Sequence, residues 1–299
     1  MRLTRAAIRT RRNPTRRKRA SSVVICKPGK DDYTELTAYR SISLLSSMGK
    51  VVEKVAAELL SEEGGRMWLL SDGNSGGRKR RSAINAVAIK VDRAHAAWTI
   101  AHITGVLLMD ITAAFASLAK GTLVNMMKVG QIDGDLIRWM ESSLLERTVE
   151  MTLKVNAMER HPVEAGVPLG SPVSPILVAI YTSGLIKWVE EYVSDAEGLC
   201  FVDDLGWVAS GSDVNHAVSI LDRCAAMSIE WASRRGLQFD TAKTEAALFT
   251  RRRGGRKHLR PKLTAKIRVR TGSIRFNSQA THWLGVWMDA HLTFKEHHN

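Results

Sequence analysis

Two hydrophobic periodicities alternate along the chain, and each switch between them marks an element. Over residues 42–60 the apolar positions Leu44, Leu45, Met48, Val51, Val52, Val55 and Leu59 recur at helical spacing and predict an amphipathic helix. Helices are also predicted from Ala83 toward Trp98, over residues 136–145, and through Ala217, Leu221, Cys224, Ala225, Ile229 and Trp231. Shorter apolar runs read as strands: residues 105–109 ending at Asp110, residues 148–155, and the stretches on either side of residues 201–204. Residues 265–269 and 273–276 predict a short hairpin beyond the Arg- and Gly-rich loop 251–257. Strands interleaved with helices, joined by hairpins as well as crossovers, predict an α+β fold rather than a doubly wound sheet.

The tetrapeptide Phe201-Val202-Asp203-Asp204 reads as strand, acidic turn, strand. Alone, such a pair is ordinary solvated turn chemistry. A third carboxylate changes the picture: Asp110 closes the run 105–109 and precedes Ala113-Ala114-Phe115, so two strands can bring Asp110, Asp203 and Asp204 to one point. Between them, Gly166-Val167-Pro168-Leu169-Gly170-Ser171-Pro172-Val173-Ser174-Pro175 is too rich in Gly and Pro for regular structure and leads into the apolar run 176–181. This predicts a rigid loop feeding a buried helix, with small residues that let a ligand approach the backbone.

In order and spacing these parts resemble the reverse transcriptases of non-LTR (LINE-type) retrotransposons. That family's core shows Asp with Ala-Phe, then Gly-Val-Pro-Gln-Gly-Ser-Pro, then an aromatic residue, a small residue and Asp-Asp. Upstream, Lys27-Pro28-Gly29-Lys30-Asp31, Tyr39-Arg40-Ser41-Ile42-Ser43-Leu44-Leu45 and Gly49-Lys50-Val51-Val52-Glu53-Lys54 are similar to its finger motifs, and Gly77-Arg78-Lys79-Arg80-Arg81-Ser82 to its Gly-Phe-Arg segment. Downstream, Gly236-Leu237-Gln238-Phe239-Asp240 with Lys243-Thr244-Glu245, and Trp283-Leu284-Gly285-Val286, resemble its Lys-Thr-Glu and primer-grip elements. The resemblance implies a right-hand polymerase palm and fingers, with an antiparallel palm sheet packed on helices. It assigns residues 21–299 to the reverse transcriptase domain, reaching the start of the primer-grip and thumb region, behind a flexible basic arm over residues 1–20.

The implied activity is RNA-directed DNA polymerisation: nucleotidyl transfer from dNTP to a DNA primer 3′-hydroxyl on an RNA template. Two divalent ions about 3.5–4 Å apart activate the hydroxyl and clamp the phosphates. Mg²⁺ wants carboxylate oxygens, with Mn²⁺ able to substitute; Asp110 and Asp203 match the bridging ligands and Asp204 a supporting one. By family position Phe115 lies beneath the incoming sugar, where a ring excludes a 2′-hydroxyl. Arg40 and Lys30 match the triphosphate-binding cations, and Lys243 the lysine that protonates leaving pyrophosphate. Gly170, Ser171 and Pro172 match the floor under the templating base pair. The chain departs from the pattern at Leu169 (Gln expected), Ser41 (Pro), Asn74 (Gln) and Ala116 (Asp). These departures leave every metal ligand in place and motivate a second reading, a decayed remnant that binds nucleic acid without polymerising. An RNA-templated RNA polymerase shares the palm and metals, but Phe115 argues against it.

Charge adds a direction. The formal net charge is +14, yet residues 1–30 carry 11 Lys and Arg and no acid, and residues 251–270 carry 10 and no acid. The remainder is net acidic, so two basic clusters, not the whole surface, offer themselves to a polyanion; phosphate neutralisation there makes binding salt-dependent. Cys26, Cys200 and Cys224 are too scattered for a disulfide framework or zinc site. No stretch reaches membrane-span length, which predicts no membrane partner and an intracellular protein. Arg16-Arg17-Lys18-Arg19 suits a nuclear address, while an Arg-rich, acid-free start also suits a mitochondrial presequence. Oligomeric state is not written in these residues.

Overall fold

The computed structural model describes all residues except 1, 30–31, 36–37, 154–155, 252–265, 270–271, 278–279 and 298–299. Along the chain the elements are α1 (Arg2–Arg9), α2 (Thr15–Lys18), β1 (Arg19–Cys26), β2 (Tyr39–Leu44), α3 (Ser47–Arg66), α4 (Ala83–Thr99), β3 (Ile103–Ile111), α5 (Ala114–Ser117), α6 (Lys120–Val129), α7 (Gly134–Leu144), β4 (Thr148–Leu153) and β5 (Asn156–Pro162). They continue with α8 (Ser174–Tyr192), β6 (Ala196–Phe201), β7 (Asp204–Gly211), α9 (Val214–Ser233), β8 (Phe239–Phe249), β9 (Lys266–Val269), β10 (Gly272–Arg275), β11 (Thr281–Trp283) and β12 (Val286–Met288). The contacts divide the chain into two units: residues 1–69 with 113–181, and residues 70–112 with 182–299.

The first unit holds a four-stranded sheet ordered β2-β1-β4-β5, in which only β1 and β4 run parallel. Residues 42–44 belong to this sheet rather than to the predicted helix. They pair with β1 from Ile42↔Val23 to Leu44↔Ser21, and Ser46 starts α3 as its N-cap by accepting the Gly49 N–H at 3.5 Å. The helix then buries Val52, Glu53, Ala56 and Leu60, while Met48 and Val51 stay exposed.

The N-terminal stretch is folded where composition predicts a flexible arm. Pro14 does interrupt the helix, falling between α1 and α2, but Ile8 is buried and α1 packs on α3 and α7. Asn13 donates its backbone N–H to Ser142 and its side-chain amide to Ser143, and the buried Lys18 reaches Glu146 at 3.2 Å. One apolar anchor and a few polar contacts, with Arg11 donating to Asp135 at 2.7 Å, hold this basic stretch in place.

The second unit is built on an antiparallel sheet ordered β6-β7-β3-β8. One face packs on α9: a Cβ placed on Gly105 would stand 2.9 Å from Leu221, and the Trp207 indole donates to Ser228 at 3.0 Å. The other face shares a core with α4, where Val106, Leu108 and Val208 meet Ala86, Val87 and Ala94, joined by Trp283 and Met288. Because both faces are covered, β3 and β7 read as near-continuous apolar runs instead of alternating ones. Each large apolar side chain so enclosed contributes about 1.5–3 kcal/mol. The stretch of α8 from Ile176 to Tyr181, apolar throughout, is fully buried and belongs to the first unit. The predicted hairpin over residues 265–276 is β9 and β10, paired antiparallel, while the basic loop 251–257 lies, apart from Arg251, outside the described residues.

Candidate active site

The acidic hairpin forms as its sequence predicts. Phe201 pairs with Asp204, so Val202 and Asp203 are the two residues of a tight turn between β6 and β7. Val202 has φ +62°, while Asp203 is not in the positive-φ region, the pattern of a turn whose first central position usually holds glycine. A β-branched residue in that region stores on the order of 1–3 kcal/mol of strain.

Register then joins the distant carboxylate to the turn. Asp110, on β3, lies directly opposite Asp204, on β7. Side chains two apart on a strand share a face, so Asp110 follows Val106 and Leu108, and Asp204 precedes Gly206 and Val208, on the α4 side of the sheet. β8 completes the group: the Lys243 ammonium donates to Asp110 Oδ2 at 2.6 Å and lies 3.1 Å from Asp240. That bond to Asp110 is the chief reason the Lys243 amine is held above its ordinary value. Asp204 is pushed up to about 6, first by burial and then by the charges of Asp203 and Asp110; Lys90 and Lys243 pull the other way.

The residues suit a divalent cation. Among the described residues no cluster of three or more His, Cys, Asp or Glu side chains forms a ready-made metal site. What the geometry provides is hard oxygen donors crowded by register, a carboxyl raised first by burial and then by its acidic neighbours, and a cation already resting on Asp110.

One residue of this unit escaped the sequence reading. Lys90 of α4 is fully buried, its Nζ has no hydrogen-bond partner, and it stands 3.3 Å from the centroid of the Trp283 ring. Burial pulls its amine well below the ordinary value of 10.5, with Asp204 opposing. The signal was present: Ala86, Lys90 and Ala94 recur every four residues along the buried side of α4. Asn74, where the family pattern expects Gln, donates its amide to Thr182 at 2.8 Å and Ser183 at 3.3 Å, and its oxygen accepts from the Gly76 N–H at 3.1 Å, in full burial.

The remaining predicted site residues that are described lie in the first unit. Arg40 is exposed on β2 opposite Ile25. Phe115, in α5, is half-buried, and its carbonyl accepts from the Val167 N–H at 2.6 Å. The loop that follows is held to its own unit at both ends. A Cβ on Gly166 (φ +76°) would stand 2.5 Å from Ala116 backbone, and one on Gly170 (φ +115°) 2.6 Å from the Ser43 carbonyl. Both positions therefore require glycine. Ser171 donates to Glu53 at 2.5 Å, and Glu53 in turn faces Arg147 at 3.6 Å, with both charged side chains almost wholly enclosed. Pro172 is half-buried between Ser171 and α8 in the chain. Lys30 lies outside the described residues.

Comparison with known proteins agrees with this architecture. The family described as reverse transcriptase (RNA-dependent DNA polymerase) matches residues 25–288. A probable RNA-directed DNA polymerase from transposon BS of Drosophila melanogaster is 26% identical over 295 residues, covering 98% of this chain and 32% of that protein. The RNA-directed DNA polymerase from mobile element jockey of Drosophila funebris is 26% identical over 292 residues, covering 95% of this chain and 30% of that protein. The chain thus spans about a third of the length of the curated relatives it matches. Among solved structures, telomerase from Candida tropicalis, in complex with a fragment of telomeric RNA, superposes with a TM-score of 0.60 at 12% identity, over 95% of this chain and 45% of that one.

Proposed function

The chain belongs to the reverse transcriptase family, and from that premise we propose that it is an RNA-directed DNA polymerase of a non-LTR retrotransposon, extending a DNA primer on an RNA template with dNTPs. The observation that carries the reading is the pairing of Asp110 with Asp204 across β3 and β7, with Asp203 in the strained turn beside them. Divalent ions are general to this family; here we assign two Mg²⁺, replaceable by Mn²⁺, to Asp110, Asp203 and Asp204. When bound, such ions lower the pKa of the attacking hydroxyl and neutralise the phosphates.

The chain's own groups have separate tasks in this reading. Asp110, Asp203 and Asp204 supply the negative charge that holds the ions. Lys243, an amine held protonated by Asp110, gives its proton to the leaving pyrophosphate and keeps Asp110 compensated between turnovers. Arg40 and Lys30 bind the triphosphate, Phe115 bars the 2′-hydroxyl, and Gly170, Ser171 and Pro172 shape the floor under the base pair. Action inside the cell completes the proposal. No described helix is long and apolar enough to cross a membrane.

Primer extension on a primed RNA template, with dNTPs in Mg²⁺ and in Mn²⁺, tests it beside Asp203→Ala. The expected result is extension abolished in the variant, whose circular dichroism matches the parent; undiminished extension by Asp203→Ala overturns the assignment. The departures at Leu169 and Ala116 favour one second reading, a remnant that grips RNA without polymerising. Folded protein with steeply salt-dependent RNA binding and no incorporation in either metal selects that reading.

A further inference from the structure

The turn that carries Asp203 is held from outside its own hairpin. β6 is an edge strand, yet the backbone groups of Cys200 that face away from β7 are both used: the Cys200 N–H donates to the Gly73 carbonyl at 2.9 Å, and the Ser75 N–H donates to the Cys200 carbonyl at 2.8 Å. This single parallel bridge, Asn74↔Cys200, lays residues 73–76 along the last residues of β6. The approach is so close that side chains are excluded. A Cβ on Gly73 would fall 1.8 Å from the Gly198 carbonyl oxygen, and one on Gly76 would fall 2.2 Å from the Val202 nitrogen and 2.9 Å from its Cα. Gly76 therefore abuts the residue whose backbone is strained.

Asn74 fixes this segment to the rest of the unit. Its amide nitrogen is bound by Thr182 and Ser183 of α8, and its oxygen holds the Gly76 N–H. Thr182 also bonds the Cys200 side chain, so α8, residues 73–76 and the end of β6 share one buried polar network. Arg78 closes it from the other side, donating to the carbonyls of Ser71 at 2.8 Å and Asn74 at 3.1 Å. A two-residue turn with valine in a glycine conformation relaxes by rotating its peptide unless neighbouring atoms forbid it. Here the neighbour is Gly76, and what keeps Gly76 in place is Asn74.

We propose that residues 73–76 are a splint for the metal-bearing turn and that Asn74 is its positioning residue, acting on Asp203 through Gly76 and Val202 without touching substrate. The proposal rests on the polymerase reading for its kinetic arm only. The splint itself predicts that a divalent ion binds less well when the turn is released, whether or not nucleotide is added.

The test compares the parent with Asn74→Ala, Asn74→Gln and Thr182→Val in two assays, Mn²⁺ affinity by electron paramagnetic resonance and primer extension, each at a temperature where thermal melts show the variant fully folded. Asn74→Ala is expected to lower kcat by about 10–100-fold with the dNTP KM within about twofold, and to weaken Mn²⁺ binding, since displacing a reacting group by about 1 Å costs on the order of 100-fold. Asn74→Gln, which keeps the amide, recovers part of both losses. Should Asn74→Ala fail to fold, Thr182→Val carries the test, with a smaller fall in the same two quantities. Mn²⁺ affinity and kcat both at the parent's level in the folded variant overturn the splint, as does a kcat loss with Mn²⁺ affinity unchanged. A parent that neither extends nor binds Mn²⁺ fails the polymerase reading instead, so the two failures are separable.

Discussion

Replacing Lys90 with methionine should make the protein more stable. The amine is fully buried and unpartnered, and a buried polar group without a hydrogen bond costs about 1–3 kcal/mol. Its compensation is the Trp283 face 3.3 Å away, worth about 0.5–2 kcal/mol, and a methionine thioether on the same ring returns about 0.3–1.5 kcal/mol of that. Methionine also nearly conserves the volume, so neither cavity nor overpacking enters. The balance favours Lys90→Met by about 1–3 kcal/mol, read as a higher urea midpoint at unchanged slope.

A pH series sharpens this prediction. The folded-state pKa of Lys90 lies well below 10.5, so between that folded value and 10.5 the unfolded chain binds the extra proton. Stability of the parent therefore rises with pH across that window, and the advantage of methionine shrinks as pH approaches 10.5. A destabilised Lys90→Met, or an advantage that grows with pH, refutes the reasoning and means that the amine has a partner worth more than its burial.

Removing one member of the enclosed pair in the first unit has the opposite sign. Arg147→Met leaves Glu53 with Ser171 alone and should cost about 3–5 kcal/mol in chemical denaturation; a loss under about 1 kcal/mol would show that the pair is not closed to water. The carboxyl of Asp204, raised to about 6, should make Mn²⁺ affinity fall as pH drops through about 6, because a proton competes with the ion there. The metal-free protein responds in the other direction: its folded state binds more protons than the unfolded chain between about pH 4 and 6, so this carboxyl's contribution to stability is lost as pH rises. Mn²⁺ titrations that are flat from pH 5 to 7 would remove Asp204 from the ligand set.

Much of the fold was legible because its signals are local. The helix from Ala83 toward Trp98, the apolar stripe of α9 and the run ending at Asp110 each lie within one element. The acidic turn was legible too, since two short apolar strands leave a two-residue connection little freedom. Residues 42–44 were misread because Leu44 and Leu45 continue the helical spacing of α3; pairing with β1, a partner about twenty residues away, decided otherwise. The folded N-terminus was missed for a similar reason. Charge density predicts a solvated arm, and only docking on α3 and α7 supplies the burial that orders it.

The sequence by itself supplied the candidates for chemistry, three aspartates and a lysine of the right types in the order in which the family's motifs run. Tertiary structure alone decided their relations. A one-residue slip of β3 against β7 would send Asp110 to the opposite face, and sheet register depends on the burial of both faces, not on any local pattern. It also decided what stands behind the site, where Lys90 lies on the Trp283 ring and the Asn74 amide bonds Thr182 in the middle of α8. Such contacts join residues about a hundred or more positions apart, and spacing along a chain has no term for them.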